Sequence, residues 1–296
     1  VMTTLRGIHF GPCWDAAGAR GWFGEGYWYH RLPFMRYLLN FRGSTRVAKT
    51  TTLSENAGHM PFKGEYDMYA PRDLFPRAIW FDFRSGRTVN GIGLSGPGAH
   101  TLLDKGLLGI DQKPFMISFM SVAKTAEERL REFRVFVDLL KRKLPTNPQY
   151  KKLLGLQINI SCPNTGLDPS KLVREASQML DLAALLGIPL IIKINVLAPT
   201  EVIVEIATHE ACDAICTTNT VPFGALPERI DWKKLFPQGS PLKRRDPTMP
   251  DGGYSGPELK DLVCEQVRAA KEAGVTKPFN VGGGIRSAED VDYVVK

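Results

Sequence analysis

The sequence predicts a parallel α/β fold, specifically a (β/α)8 barrel whose last strand is not legible. Three observations predict it. Strand-like apolar runs alternate with amphipathic helical stretches, the pattern of a parallel sheet covered by helices. Runs such as Ile188 to Ile194 are apolar without alternation, so both faces of the strand are buried. Asn159, Ser161, Lys193, Asn195, Thr218, Asn219 and Gly282 all fall at the C-terminal ends of expected strands. An open doubly wound sheet fits the first two observations equally well. The third favours the barrel, because barrels carry their reactive groups at that end.

The elements follow in order. Pro12 to Ala17 reads as the first strand and Thr45 to Lys49 as the second. Between them runs an aromatic segment with Trp22, Phe23, Tyr27, Trp28 and Tyr29, expected to pack rather than to stack on bases. Ser54 to Arg87 is long and polar for a barrel loop and is expected to cover the top face as a lid or subunit contact. Pro114 to Phe119 is a buried strand, and Thr125 to Arg142 an amphipathic helix with Thr125 and Glu128 at capping-box spacing. Leu154 to Ile160 is the next strand. The helix Pro169 to Leu186 ends at Gly187. Ile188 to Ile194 is a strand, Thr200 to His209 a helix, and Asp213 to Thr217 a strand. Gly256 to Ala273 is a helix, Phe279 to Val281 a strand, and Ser287 opens a last helix. That makes seven strands, near residues 14, 47, 117, 157, 191, 215 and 280. A barrel without its eighth strand has two unpaired edges, so the natural protein is expected to continue for several tens of residues. No repeat or linker divides the chain, and residues 1–296 are read as one domain.

Composition narrows the function classes. With 43 % hydrophobic and 23 % charged residues, the 296-residue chain is of ordinary globular type. The net charge of +7 has no basic tail behind it, so small anionic ligands are expected rather than nucleic acid or a membrane surface. The densest cluster, Lys243, Arg244 and Arg245, reads as a solvated loop between prolines. Five cysteines, odd in number and irregular in spacing, argue against a disulfide framework and for a reducing, cytoplasmic setting. The longest apolar stretch, Leu182 to Ile192, is too short to cross a bilayer. None of His9, His30, His59, His100 and His209 stands at metal-ligand spacing, so no metal is expected.

The sharpest motif is Asn159-Ile160-Ser161-Cys162-Pro163-Asn164-Thr165-Gly166 at the mouth of the fourth strand. It brings two amides, a thiol and a proline-fixed turn to one point. Taken alone it also fits an ordinary strand-end turn with a buried Cys. Lys193 ends an otherwise apolar strand, and a buried ammonium needs an anionic partner, either a carboxylate of the chain or a ligand. Gly282-Gly283-Gly284 precedes Ser287 and Asp290, a glycine turn before a capping box, which suits a phosphate without identifying one.

Together these stretches resemble the dihydroorotate dehydrogenase family. Leu156 to Asn164 is similar to its active-site strand, Gly7 to Gly18 to the strand that opens its barrel, and Lys49-Thr50-Thr51 to its second-strand lysine motif. Asn90-Gly91-Ile92-Gly93-Leu94 resembles its substrate loop, and Ile192-Lys193-Ile194 its flavin lysine strand. Thr218-Asn219-Thr220 resembles its sixth-strand asparagine motif. Gly252 to Pro257 and Gly282 to Ile285 are similar to its two phosphate-side segments. The set stands in the family's order. The loop departs from it at Ser95-Gly96-Pro97, where Pro-Asn is common.

The resemblance implies an FMN-dependent oxidoreductase that converts (S)-dihydroorotate to orotate in pyrimidine biosynthesis. No side chain accepts hydride, so the flavin must. The resemblance puts Cys162 in the base position, which marks the family's soluble branch, and a partly ionised thiol suits a general base. It makes Lys49 and Lys193 catalytic and assigns substrate to Asn90, Gly93, Leu94, Asn159, Asn164, Asn219 and Thr220. It assigns FMN to Ala16, Ala17, Gly18, Lys49, Thr50, Asn159, Lys193, Gly253, Ser255, Gly256, Gly283 and Gly284. It also implies a homodimer; the electron acceptor is not readable from the residues, and fumarate, a quinone or a separate iron–sulfur/flavin subunit all fit. Two further readings stay open: a related flavoenzyme acting on another dihydropyrimidine or cyclic ureide, and a catalytically silent barrel serving as a binding module.

Overall fold

The computed structural model describes residues 3–35, 40–62, 71–108, 113–144, 152–160 and 169–295. The chain opens with an antiparallel hairpin, β1 (Thr3–Leu5) and β2 (Ile8–Phe10), which the sequence reading did not separate from loop. The next two strands are β3 (Cys13–Trp14) and β4 (Ser44–Val47). A second hairpin follows, β5 (Ile79–Asp82) and β6 (Arg87–Asn90), then helix α1 (Gly98–Asp104). Alternation then becomes regular: β7 (Phe115–Phe119), α2 (Ala126–Lys143), β8 (Leu154–Asn159), α3 (Pro169–Ala184), β9 (Leu190–Ile194), α4 (Thr200–Thr208) and β10 (Ala214–Thr217). The last stretch holds β11 (Val221–Pro222), α5 (Trp232–Leu235), α6 (Pro241–Arg245), β12 (Gly253–Ser255), α7 (Leu259–Glu272), β13 (Phe279–Val281) and α8 (Ala288–Val295).

Seven strands pair in parallel in the order β3-β4-β7-β8-β9-β10-β13. They form a nearly closed barrel with one open seam, between β13 and β3. The helices α2, α3 and α4 bury their apolar stripes against its outside. Phe133, Phe136 and Leu140 of α2, Met179 and Leu180 of α3 and Ile203 and Ile206 of α4 join one core with Ile158, Ile192 and Ile215. The predicted capping box holds α2, since Thr125 Oγ1 accepts from Glu128 N at 3.2 Å. Arg129 then pins α2 to α3 through both oxygens of Glu175.

Two expectations need correction. Ser54 to Arg87 is not simply a lid, because β5 and β6 belong to a second, antiparallel sheet ordered β11-β12-β6-β5. Lys243, Arg244 and Arg245 are exposed, as expected, but stand on a helix rather than a loop. Ser240 caps a short helix there, Pro241 occupies its first turn, and the cations reach Asp251, Gln238 and the Ile79 carbonyl. Pro241, read as loop punctuation, starts the helix, since proline lacks only an N–H that no helix would use at that place, and Pro247 lies past its C-terminal cap. The first two strands are also shorter than expected, β3 being only Cys13–Trp14.

Candidate active site

The barrel interior changes character from floor to mouth. At the floor, Leu5, Ile8 and Phe10 of the hairpin pack against Val47, Met116, Ile191 and Ala214. Gly155 leaves room there, because a Cβ would stand 3.1 Å from the Phe10 ring. Above lies a buried polar ladder: Thr50 Oγ1 and Ser118 Oγ are 2.8 Å apart, and Ser118 donates to Gln157 Oε1 at 3.1 Å. Nearest the mouth, register sets four residues side by side on adjacent strands: Asn159, Lys193, Cys216 and Asn280. Strand alternation places them on the same face as Ile191 and Ala214, so the row faces inward.

That row contains a cation and no carboxylate. Burial pushes the Lys193 ammonium below its usual value, and the opposing influence comes from the Cys216 thiol. Burial in turn raises Cys216, whose Sγ donates to Asn280 Oδ1 at 3.2 Å. Asn159 is 6 % exposed. The alternative of a structural salt bridge for Lys193 is thus not what the row provides.

Lys49 lies at the rim beyond β4. Its Nζ donates to the Ser95 carbonyl at 2.5 Å and stands 4.5 Å from the Trp22 ring centre. Burial pushes it down to about 7, against the pull of Glu25. The segment holding Ala16, Ala17 and Gly18 wraps its stem: Gly18 N donates to the Val47 carbonyl, and Ala19 N to that of Ala16. Gly18 has φ +87°, and a Cβ on it would lie 3.1 Å from Lys49 Cγ. The Ser95-Gly96 departure fits this neighbourhood, since a Cβ at Gly96 would meet Trp22 at 2.7 Å. The loop is tied down from the other side by Asn56, whose Nδ2 donates to the Gly93 carbonyl at 2.7 Å and the Leu94 carbonyl at 3.3 Å.

The antiparallel sheet brings three more expected residues together. Asn90 of β6 faces Gly253 of β12 across the ladder, and a Cβ on Gly253 would collide with Thr220 Oγ1. Asn219 N donates to the Ile194 carbonyl, and its Oδ1 accepts from Thr220 N at 2.9 Å. Behind Ser255 and Gly256 stands a half-buried brace that the sequence reading missed. Arg87 Nε donates to Glu258 Oε1 at 3.0 Å, and Tyr254 donates its hydroxyl to Oε2. Burial works to raise Glu258, but these hydrogen bonds outweigh it and hold it below the usual carboxylate range.

The glycine turn packs on α7. A Cβ at Gly284 would stand 2.8 Å from Lys260 N and 2.9 Å from the Gly256 carbonyl. A Cβ at Gly283 would lie 3.1 Å from Thr218 Cγ2. The expected cap of α8 forms, with Asp290 N donating to Ser287 Oγ at 3.2 Å. The Lys260 ammonium and the Arg286 N–H hold Asp290 down to about 2. Cys162 and Asn164 lie outside the described residues.

Among the described residues, Asn195, Thr217 and Gln266 also belong to this mouth and were not chosen as site residues from the sequence. Gln266 carried a usable signal, as a polar residue on the apolar stripe Leu262, Val263, Ala270 of α7.

The sequence model of a family described as dihydroorotate dehydrogenase matches residues 71–294, more than half of the chain. Ala16, Ala17, Gly18, Lys49 and Thr50 precede the matched range. A search of curated proteins finds no significant match.

Proposed function

Since this chain belongs to the dihydroorotate dehydrogenase family, and so is a flavin oxidoreductase of that type, we propose that it oxidises (S)-dihydroorotate to orotate with FMN as cofactor. The observation that carries the reading is the inward row of Asn159, Lys193, Cys216 and Asn280, an ammonium among neutral side chains in a row that holds no carboxylate.

The chemistry of the mouth fits a flavin. Lys193 would hold a flavin's ring by offering a desolvated cation to the negative charge that such a group acquires on reduction. A phosphate needs backbone N–H groups reached without obstruction, and Gly283 and Gly284 offer backbone without Cβ beside α7. Gly253, Ser255 and Gly256 flank the same place, and Ala16 to Gly18 follow β3, the strand across the open seam from β13. When bound, the flavin supplies the hydride acceptor that the side chains lack.

The chain's own residues do the rest. Asn90, Asn159, Asn164 and Asn219 present both donors and acceptors, as a cyclic ureide requires, with Gly93, Leu94 and Thr220 completing the wall. Lys49 stabilises charge at the substrate edge. Cys162 takes the proton from carbon as the hydride departs. The family reading further supports a place in pyrimidine biosynthesis, a homodimer and a cytoplasmic setting.

An anaerobic visible spectrum before and after adding dihydroorotate tests the proposal. Flavin bands that bleach support it. Bands that persist move the substrate to another dihydropyrimidine, and the absence of any flavin leaves only a barrel. Cys162→Ala is expected to slow bleaching by about 10²-fold or more while flavin stays bound. An unchanged rate removes Cys162 as the base.

A further inference from the structure

The loops after β9 and β10 carry Asn195 and the pair Asn219 and Thr220, yet neither loop is held by the barrel strands alone. One side chain from outside reaches both. Gln266 of α7, 8 % exposed, donates through Nε2 to the Asn195 carbonyl and to the Ala198 carbonyl, each at 3.1 Å. Its Oε1 accepts from Thr217 Oγ1 at 2.6 Å. Both amide protons and the amide oxygen are therefore committed, which fixes the orientation of the group and leaves one arrangement only.

The bonding continues inward from there. Asn195 Nδ2 donates to the Thr220 carbonyl at 2.7 Å, and Val196 N donates to Thr218 Oγ1 at 2.7 Å. Asn219 N donates to the Ile194 carbonyl. Gln266 thus grips the outer side of the two loops, and the loops grip each other on the side facing the mouth. Leu262, Val263 and Ala270, its neighbours on the stripe, are apolar and buried. An apolar residue at 266 would continue that stripe, so packing alone gives no reason for an amide here.

The geometry points to Gln266 as a positioning residue that sets where Asn219 and Thr220 present themselves to the ligand. This rests on the reading of those two residues as substrate contacts. Removing the amide takes a donor from the Ala198 and Asn195 carbonyls, the latter keeping its bond from Ala198 N, and takes the acceptor from the Thr217 hydroxyl, and the loops relax to recover hydrogen bonds.

Three variants of the flavin-loaded protein test this. Gln266→Met keeps the volume and removes the amide. Gln266→Glu keeps an acceptor for Thr217 and loses both donors. Thr217→Val removes the inner partner and leaves α7 untouched, so it serves if the helix variants do not fold. Orotate binding is read from the perturbation of the flavin spectrum, and loop order from hydrogen exchange at the amides of Val196, Asn219 and Thr220. The expected result is orotate binding weakened about tenfold in both Gln266 variants, the size of one or two lost hydrogen bonds. Exchange is expected to quicken at those three amides and not along α7, and the saturated rate of flavin reduction should change far less than the affinity. Wild-type affinity in a folded Gln266→Met or Thr217→Val protein overturns the inference, as does quicker exchange spread evenly over α7 and the loops. A wild-type protein that holds flavin and ignores orotate overturns the substrate reading instead. The exchange data then still decide whether Gln266 orders the loops.

Discussion

Lys49 shows how far burial moves a single residue. Its pKa is pushed from 10.5 to about 7, chiefly by desolvation, although Glu25 opposes the shift. Between those values the unfolded chain binds a proton that the folded protein does not. Stability therefore rises with pH through that window, and the cost of burying the ammonium is fully present below about 7. Lys49→Met is expected to be more stable than wild type near pH 7, with the advantage shrinking by up to about 1.4 kcal/mol per pH unit as pH rises. Urea unfolding of both proteins over that range checks it, and a constant difference removes Lys49 as the source. The two lysines also show what a sequence can say of a residue. Lys193 stood out as a cation at the end of an apolar strand, and Lys49 through the resemblance of its strand-end motif. That Lys193 joins a row without carboxylates, while Lys49 bonds the Ser95 carbonyl, depends on register and loop packing that no local pattern encodes.

Among the elements, the parallel strands and their helices were the most legible. Ile158, Ile192 and Ile215 announce strands buried on both faces, and Thr125 with Glu128 announces the start of α2. The antiparallel sheet was not legible, because β11 and β12 are two and three residues long and too short to show a period. The pairing of β12 with β6 joins chain segments more than a hundred residues apart. The glycine turn before α8 supports a prediction at this scale. Gly284 has φ +72° and three backbone atoms within 3 Å of where a Cβ would stand. Gly284→Ala is expected to cost about 1–3 kcal/mol and to lower the flavin retained after gel filtration. Full retention with unchanged Tm separates this turn from the cofactor.

Across the whole molecule, the N-terminal hairpin closes the floor of the barrel and the antiparallel sheet lies by its mouth. Arg6 pairs with Asp213 at 2.9 Å, and Asp213 also accepts from Leu190 N, so the hairpin is tied to the starts of β9 and β10. Phe10 is fully buried at the centre of this floor. Phe10→Ala is expected to cost about 3–5 kcal/mol, measured by urea unfolding, since Gly155 and the strands around it cannot collapse into the space. A loss below about 1 kcal/mol shows that the floor is not part of the cooperative unit.

The sequence by itself determined the class of fold and most of the strand-end residues. Apolar runs and capping signals act over a few residues, and a parallel barrel forces its chemistry to one end. Only the tertiary structure decided which of those residues meet. The row through Lys193, the bond from Lys49 to the Ser95 carbonyl, and the grip of Gln266 on two loops all join distant segments. Their energies come from register, desolvation and shared hydrogen bonds, which exist only once the chain has closed around them.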